Sequence, residues 1–359
     1  MSRSTHQPLW TVFRRRTALG LAGVVAGGAL AAIAPVGPAQ AAALAAGPAA
    51  RGPDRPGACT ISALPVPAGT TRSGVNTSDP TGRYLLGDAV VLADGQSTFV
   101  NLLWTNGRLT DFATPWDGTV ISAVNSSREM VGHRPGADST TTLAWRYRNG
   151  RFTDLPTLVP GDSAIPVAIN ARADAVGYEY DLHGGFHAVI WPANRPGTVR
   201  ELARPATVLS ATPQGIDDDG TVVGTGSAAG IFQLSVVWPA HGTPRVLGTP
   251  GGATLSGVVG IRNGWVGGWE ATSTGSAPVR WNLRTGVAES VDAQSIVYGV
   301  NRHGTLAMQG ALAHRDRVVT LPGFSTDDAR GAKTIADTGV AAGFDNSQGF
   351  IQAVIWRGC

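Results

Sequence analysis

A repeated unit with the pattern x-I-N-x-x-G-x-V-V-G, then a polar loop, then A-V-x-W, runs through most of this sequence. The clearest copies span residues 168–191 and 215–238. The residues that close the x-V-V-G part lie 35 to 47 residues apart: Gly87, Gly132, Gly177, Gly224, Gly268, Met308 and Gly343. Each copy predicts four short strands, of which the last ends in leucine. Seven such copies are typical of propeller blades, so the chain is predicted to be all-β, a seven-bladed β-propeller of four-stranded antiparallel blades.

The repeat also predicts turns and a core. Asparagine or aspartate fills the turn between the first two strands, at Asn76, Asn125, Asn170, Asp217 and Asn301. These residues tolerate turn conformations, so the run Asp217–Gly220 is interpreted as a turn and not as a calcium loop. Tryptophan recurs on the third strand at Trp104, Trp145, Trp191, Trp238, Trp281 and Trp356. We expect these indoles to pack blade against blade and not to form a ligand cage.

The two ends of the repeat array predict how the ring closes. The seventh copy stops at Cys359 without a fourth strand, whereas the stretch Thr60–Leu64 before the first copy fits that pattern. The N-terminal strand is therefore predicted to complete the last blade. Cys59 and Cys359 are the only cysteines, and both fall where the missing hairpin turn would lie. Because residues facing each other at a hairpin turn lie within reach of a disulfide, we expect these two to be bonded.

The N-terminal segment has the organisation of an export signal. Residues 1–41 contain four arginines and no acidic residue, then an apolar run, then Ala39-Gln40-Ala41. This pattern predicts a signal peptide cleaved between Ala41 and Ala42. Arg15-Arg16 favours twin-arginine export, with an ordinary secretory signal as the open alternative. Residues 42–58 are predicted to be a disordered linker, and 59–359 the propeller.

Charge narrows the classes of partner. The chain has 28 basic and 25 acidic residues, but residues after 41 carry 24 basic against 25 acidic ones. Nucleic-acid binding therefore loses its electrostatic basis. The apolar run of the signal is too short and too mild for a membrane span. We expect a secreted, extracellular monomer, and association with a cell wall stays open.

The repeats resemble those of the HAF-repeat extracellular proteins. The motif of that family corresponds here to Phe186-His-Ala-Val-Ile-Trp191, and Gln352–Trp356 fills the same slot without the histidine. The resemblance covers residues 60–359 and implies an extracellular repeat protein. It brings no established activity and transfers no catalytic residue. His187 is expected to be a satisfied core histidine.

One face of the propeller is predicted to carry a binding site. The loops after the x-V-V-G strands place aromatic and charged residues on the face where neighbouring blades connect, a combination that suits a glycan or peptide. The candidate binding residues are Arg134, Tyr178, Tyr180, Asp181, His183, Trp269, Glu270 and Asp345. No motif predicts a catalytic residue, a metal site or a cofactor.

Three functions are compatible with this sequence. The leading hypothesis is a non-catalytic binding or scaffold module for an extracellular glycan or polymer. The alternative is a propeller-type hydrolase or lyase that uses Asp181, Glu270 and Asp345, for which two carboxylates should lie about 5 to 10 Å apart. The third is a purely structural envelope protein.

Overall fold

The computed structural model describes residues 58–180, 185–325, 329–346 and 349–359. The predicted signal and its cleavage site at Ala41 and Ala42, and the linker up to residue 57, lie outside these ranges. So do the candidate residues Asp181 and His183. No helix in the described ranges is long and apolar enough to cross a membrane.

The described residues form seven four-stranded antiparallel sheets, which confirms the seven-bladed propeller. The strand β1 (Thr60–Ala63) precedes blade 1. Blade 1 consists of β2 (Thr70–Ser78), β3 (Tyr84–Ala93), β4 (Gln96–Thr105) and β5 (Arg108–Thr110). Blade 2 consists of β6 (Val120–Val124), β7 (Met130–Pro135), β8 (Thr142–Arg148) and β9 (Arg151–Asp154). Blade 3 consists of β10 (Ser163–Ile169), β11 (Ala175–Tyr180), β12 (Phe186–Trp191) and β13 (Arg200–Glu201).

The second half of the ring repeats this order. Blade 4 consists of β14 (Ser210–Ile216), β15 (Val222–Ala228), β16 (Ile231–Trp238) and β17 (Arg245–Val246). Blade 5 consists of β18 (Ser256–Arg262), β19 (Trp265–Thr272), β20 (Gly275–Asn282) and β21 (Val287–Ser290). Blade 6 consists of β22 (Val297–Val300), β23 (Leu306–Met308), β24 (Ala311–Ala313) and β25 (Val318–Thr320). Blade 7 consists of β26 (Arg330–Ile335), β27 (Ala341–Asp345), β28 (Gln352–Arg357) and the N-terminal β1.

The ring closes in blade 7 as the sequence predicts. The strand β1 pairs antiparallel with β28, from Thr60 opposite Arg357 to Ala63 opposite Val354. Cys59 and Cys359 form a disulfide with their Cα atoms 4.3 Å apart, which confirms the predicted bond. Both chain ends of the propeller therefore belong to one sheet, and the covalent link lies at its edge.

Tryptophans link neighbouring blades, as predicted. The indole N–H of Trp191 donates to the carbonyl of Pro156, just after the last strand of the preceding blade, at 2.7 Å. The same bond joins Trp104 to Pro65, Trp238 to Ala203, Trp281 to Gly248 and Trp356 to Pro322. These rings are buried, and each interface between blades has its own apolar cluster. Because a buried indole needs an acceptor, the repeated carbonyl fixes how one blade meets the next.

Turns between the first and second strands form a second set of links. Asn125 donates its side-chain N–H to the carbonyl of Asn170, and Asn170 donates to the carbonyl of Asp217, each at 3.1 Å. The Asp217 carboxylate accepts the backbone N–H groups of Asn263 and Gly264 in the next blade. Both oxygens of this carboxylate are thus bound by backbone groups. Gly220 also donates its N–H to the Asp217 carbonyl, which confirms the turn interpretation of residues 217–220.

Blade 1 departs from the predicted register. Asn76 lies inside β2 and donates to Asp88, so its assignment to the turn is wrong. Asp79 is the turn residue there: its side chain accepts the N–H groups of Thr81 and Tyr84. Aspartate supplies the same acceptor as asparagine at this position, so the turn forms without the asparagine of the motif.

Candidate binding site in the central channel

The first strands of the seven blades line the central channel. They contact each other in a closed ring: β2, β6, β10, β14, β18, β22 and β26. Each of them has a β-bulge at its midpoint, opposite the x-V-V-G strand, and a bulge re-aims one side chain. The bulge residues, one from each blade, are Asn76, Ser122, Val167, Gln214, Val259, Tyr298 and Lys333. They form one level of the channel wall.

The bulge explains the repeated glycine. A Cβ atom on Gly224 would lie 2.2 Å from the carbonyl oxygen of Thr212, because the bulge turns that carbonyl towards the second strand. The corresponding distances at Gly87, Gly132, Gly177, Gly268 and Gly343 are between 1.9 and 2.1 Å. In these six blades a side chain at this position would clash with the strand that lines the channel, whereas blade 6 has Met308 there.

Lys333 is the only lysine among the 28 basic residues of the chain. Its Nζ lies 3.6 Å from the ring centroid of Tyr298 in the neighbouring blade and 5.6 Å from that of Phe344. Burial lowers the pKa of the Lys333 ammonium group. No ion pair joins Lys333 to an acidic residue in the part of the chain that the structure describes. The sequence analysis missed this residue, although its uniqueness in the composition was a usable signal.

Two aromatic side chains on second strands extend over glycines of the first strands. The ring of Phe344 covers Gly331, where a Cβ would lie 2.7 Å from the ring. Trp269 covers Gly257 in the same way, with a Cβ at 2.7 Å from Nε1. Because a larger residue in place of either glycine would clash with the ring, the two glycines make room for aromatic groups beside the channel-lining strands.

Three of the predicted binding residues lie two positions after the repeated glycine of their second strand: Arg134, Glu270 and Asp345. Glu270 is buried, and its carboxylate accepts hydrogen bonds from Gly251 N at 3.0 Å and from Ser290. Asp345 is buried too, with its Oδ2 2.9 Å from where a Cβ of Gly323 would stand. Gly251 and Gly323 each belong to the connection from the preceding blade. These two carboxylate side chains therefore contact the inter-blade connections from the interior of the protein.

Arg134 and Glu179 occupy the same position in blades 2 and 3. The Arg134 guanidinium lies 4.4 Å from the ring centroid of Trp116, in the preceding connection, and donates to Asp154 at 3.0 Å. Glu179 accepts the N–H of Leu158 at 2.8 Å, again in the preceding connection. Glu179 was not a predicted site residue. The sequence signal for this role is a charged residue two positions after the repeated glycine.

The pKa of Glu179 gives a testable consequence of this anchoring. Burial raises the pKa of Glu179 to about 7, although the hydrogen bond from Leu158 lowers this pKa. A carboxyl group that holds its proton more tightly when folded adds stability at low pH, and this is lost as the pH rises towards 7. Between pH 5 and pH 8 the native protein should lose about 1 to 3 kcal/mol of unfolding free energy through this group.

We expect Glu179→Gln to remove most of that loss, because the amide keeps an acceptor for Leu158 and does not ionise. Urea unfolding at pH 5 and pH 8 measures the difference. Asp94→Asn is the control: Asp94 is an exposed hairpin residue with a φ of 52°, which asparagine also adopts. An equal pH dependence in Glu179→Gln and the wild type would contradict the assignment.

The predicted tyrosines form one aromatic cluster. The ring centroids of Tyr178 and Tyr180 lie 6.4 Å apart, and Phe186 lies 5.8 Å from Tyr178. The hydroxyl group of Tyr180 is 3.1 Å from Oγ1 of Thr142 in the neighbouring blade. His187 pairs with Glu201 at 3.0 Å, but its side chain is 39% exposed, so the expectation of a core histidine is wrong. It lies on the open surface of β12 because the third strand is only partly covered there.

Exposed apolar side chains are concentrated on one face. We define the upper face as the one that carries the turns between second and third strands and the inter-blade connections; the lower face carries the other turns. Among described residues, ten of the fourteen exposed large apolar side chains lie on the upper face: Leu92, Phe99, Val120, Val159, Leu209, Phe232, Leu255, Ile296, Phe324 and Phe350. The other four lie on the outermost strands: Leu109, Val246, Val287 and Val318. Apolar surface that a ligand can cover is therefore available mainly on the upper face.

An open cavity of about 500 Å³ lies on the upper face between blades 5 and 6. Its walls are polar apart from Ile296, which is 41% exposed. The residues that line it are Thr274, Gly275, Ser276, Gln294, Ser295, Ile296 and Gln309. This cavity adjoins the start of β22, the strand that carries Tyr298.

The lower face differs in charge. Arg262 of blade 5 donates to Asp337 of blade 7 at 3.0 Å and forms an ion pair with Asp218 of blade 4. A side chain that joins blades 5 and 7 crosses the channel mouth, since blade 6 lies between them. A cavity of about 410 Å³ is lined by these residues and by Arg302 and Arg284. Most of its charged groups are engaged with each other or with backbone groups.

Comparison with solved structures supports the fold alone. The structure resembles an oligogalacturonate lyase from Vibrio parahaemolyticus, with a TM-score of 0.51 at 10% identity, covering 82% of this chain and 93% of that one. It also resembles a puromycin-hydrolyzing peptidase from Mycobacterium tuberculosis, with a TM-score of 0.51 at 12% identity, covering 81% of this chain and 54% of that one. This chain thus spans about half of the peptidase. No protein-family model matches the sequence, and no curated protein matches it.

Proposed function

We propose that this chain is a secreted, HAF-repeat-like binding module that holds an extracellular glycan on the upper face of its propeller. The observation that carries the proposal is that most of the exposed large apolar side chains among the described residues lie on that face, which also has an open cavity with Ile296 in its wall. Extracellular ligands of this class pair apolar ring faces with many hydroxyl groups, so they suit apolar side chains beside neutral polar groups. The disulfide agrees with an oxidising location.

The contacts of the carboxylates support binding over catalysis. A hydrolase or lyase of the proposed kind would need two carboxylates free to reach a substrate. Glu270 is buried and accepts two hydrogen bonds from its own blade and its connection, and Asp345 is buried beside Gly323. The two residues belong to blades 5 and 7, with blade 6 between them. The third residue of that hypothesis, Asp181, lies outside the described residues.

A binding assay with two surface variants tests this function. Purified mature protein is applied to glycan and peptide arrays and, in parallel, to a panel of glycosidase, lyase and peptidase substrates. We expect glycan binding without turnover. Ile296→Ser should weaken binding about tenfold, because one exposed aliphatic side chain buried by a ligand contributes about 1.5 kcal/mol.

Val287→Ser is the matched control for this assay. Val287 is 50% exposed on the outermost strand of blade 5, away from the upper face. We expect the affinity of Val287→Ser to equal that of the wild type, because this residue lies away from the proposed binding face. The two variants are matched, since each substitution removes one exposed aliphatic side chain at little cost in stability. Turnover of any substrate in the panel, without glycan binding, would refute the proposed function in favour of the enzyme hypothesis.

A further inference from the structure

Six of the seven bulge residues in the channel carry no charge, and the seventh is the only lysine of the chain. Asn76, Ser122 and Gln214 offer neutral amide and hydroxyl groups at this level. The other three uncharged bulge residues are Val167, Val259 and Tyr298, so Lys333 adds a single positive charge to an otherwise neutral ring. Every other basic residue is arginine, whereas lysine presents a compact point charge.

Among the described residues, none of those around Lys333 neutralises its ammonium group. Tyr298 and Phe344 contribute aromatic rings, which attract a cation through their faces. In the adjoining blade 1, the Asp88 carboxylate already accepts a bond from Asn76 at 2.6 Å and lies 4.0 Å from Arg72. Burial of a charge without a counter-ion costs free energy, as the lowered pKa of Lys333 also indicates. An anionic ligand would supply the missing charge.

The channel offers access to Lys333 from one side. On the lower face, the Arg262 side chain crosses the mouth and pairs with Asp218 and Asp337. The upper mouth is flanked by the apolar side chains of Leu255 and Ile296. Lys333 itself is only partly buried, so part of its side chain is accessible.

Resting on the proposed glycan-binding function, we infer that Lys333 binds the carboxylate of a uronic acid residue in an acidic glycan that enters from the upper face. A uronic acid combines one negative charge with several hydroxyl groups, which matches one ammonium group at the same level of the channel as the amide and hydroxyl groups of Asn76, Ser122 and Gln214. A peptide fits less well, because the bulge in every first strand interrupts the free edge on which a peptide strand would pair.

Calorimetric titration of the mature protein tests this inference. The probes are an oligoglucuronate, a glucose oligosaccharide of equal length and linkage, and an acidic peptide. We expect the wild type to bind the oligoglucuronate about 10 to 100 times more tightly than the neutral sugar, the range for a charge-assisted hydrogen bond. Lys333→Gln should abolish this difference, and Lys333→Arg should retain most of it because the charge is kept.

The single lysine also allows a direct chemical readout. Apart from the N-terminal amine, Lys333 is the only primary amine, so trinitrobenzenesulfonate modifies one side chain, which mass spectrometry can quantify. Bound oligoglucuronate should slow this modification at least tenfold, whereas the neutral sugar should not. This measurement uses the native sequence and does not depend on how a variant folds.

The outcomes separate this inference from the proposed function. Equal binding of neutral and acidic sugars by the wild type and Lys333→Gln would overturn the role of Lys333 and leave glycan binding intact. Binding of the acidic peptide alone, with the same dependence on Lys333, would overturn the glycan class. If none of the three probes binds and none slows the modification of Lys333, this inference is overturned. The glycan arrays decide separately whether the proposed function holds.

Discussion

Replacing both cysteines with serine is expected to lower the unfolding free energy by about 2 to 5 kcal/mol. The Cys59–Cys359 bond closes a loop with a sequence separation of 300 residues, so in the unfolded chain it removes more conformational freedom than a short loop would. Without the bond, β1 is held to β28 by the pairs between Thr60 and Ala63 and their partners and by the hydrogen bond from Leu64 N–H to the Ala353 carbonyl. We expect β1 to detach first, which exposes the edge of blade 7.

Urea unfolding of wild type, the double variant and the two single variants measures this effect. Each single variant should be as unstable as the double variant, because one free cysteine cannot close the ring. Hydrogen exchange should show that protection is lost first in β1 and β28. If the double variant unfolds at the same urea concentration as the wild type, the non-covalent pairing alone would hold the ring closed, and the structural role assigned to the bond would be wrong.

The fold could be predicted because the same local chemistry recurs seven times. Six of the seven copies carry the glycine opposite a bulge and the tryptophan of the third strand, and every copy has a turn with asparagine or aspartate, so errors in one copy are corrected by the others. Blade 1 shows the limit. The pair Val75-Asn76 imitates the motif, but the turn forms three residues later at Asp79. A single copy therefore does not fix its own register.

The candidate site was harder to predict, since it depends on which side of a strand each residue occupies. The sequence places Glu270 and Asp345 in loops after the second strand, but strand alternation turns both side chains inward, onto connections from the neighbouring blade. That contact involves residues about 20 positions earlier in the chain, whose position depends on blade packing. Lys333 was missed for the same reason: its place on a bulge becomes visible only when strand pairing is known.

The repeated glycine provides the second large effect. Gly268→Ala is expected to destabilise the protein by about 3 kcal/mol or more, because overpacking against backbone atoms cannot be relieved by a side-chain rotation. A Cβ on Gly268 would lie 2.1 Å from the carbonyl oxygen of Gly257 and 2.9 Å from the ring of Trp281. The bulge of β18 or the indole would have to move. Blade 6 has Met308 at this position, opposite Val297.

Gly260→Ala is the matched control, in the paired strand β18 and next to the same bulge. No atom lies within 4 Å of a Cβ on Gly260, and its φ is not positive. Alanine there should change stability by less than about 1 kcal/mol and can be stabilising, since it restricts the unfolded chain. Urea unfolding with an unchanged m value would report the difference. If the two variants are equally stable, the carbonyl of the bulge does not dictate glycine, and the account of the channel-lining bulges would have to be abandoned.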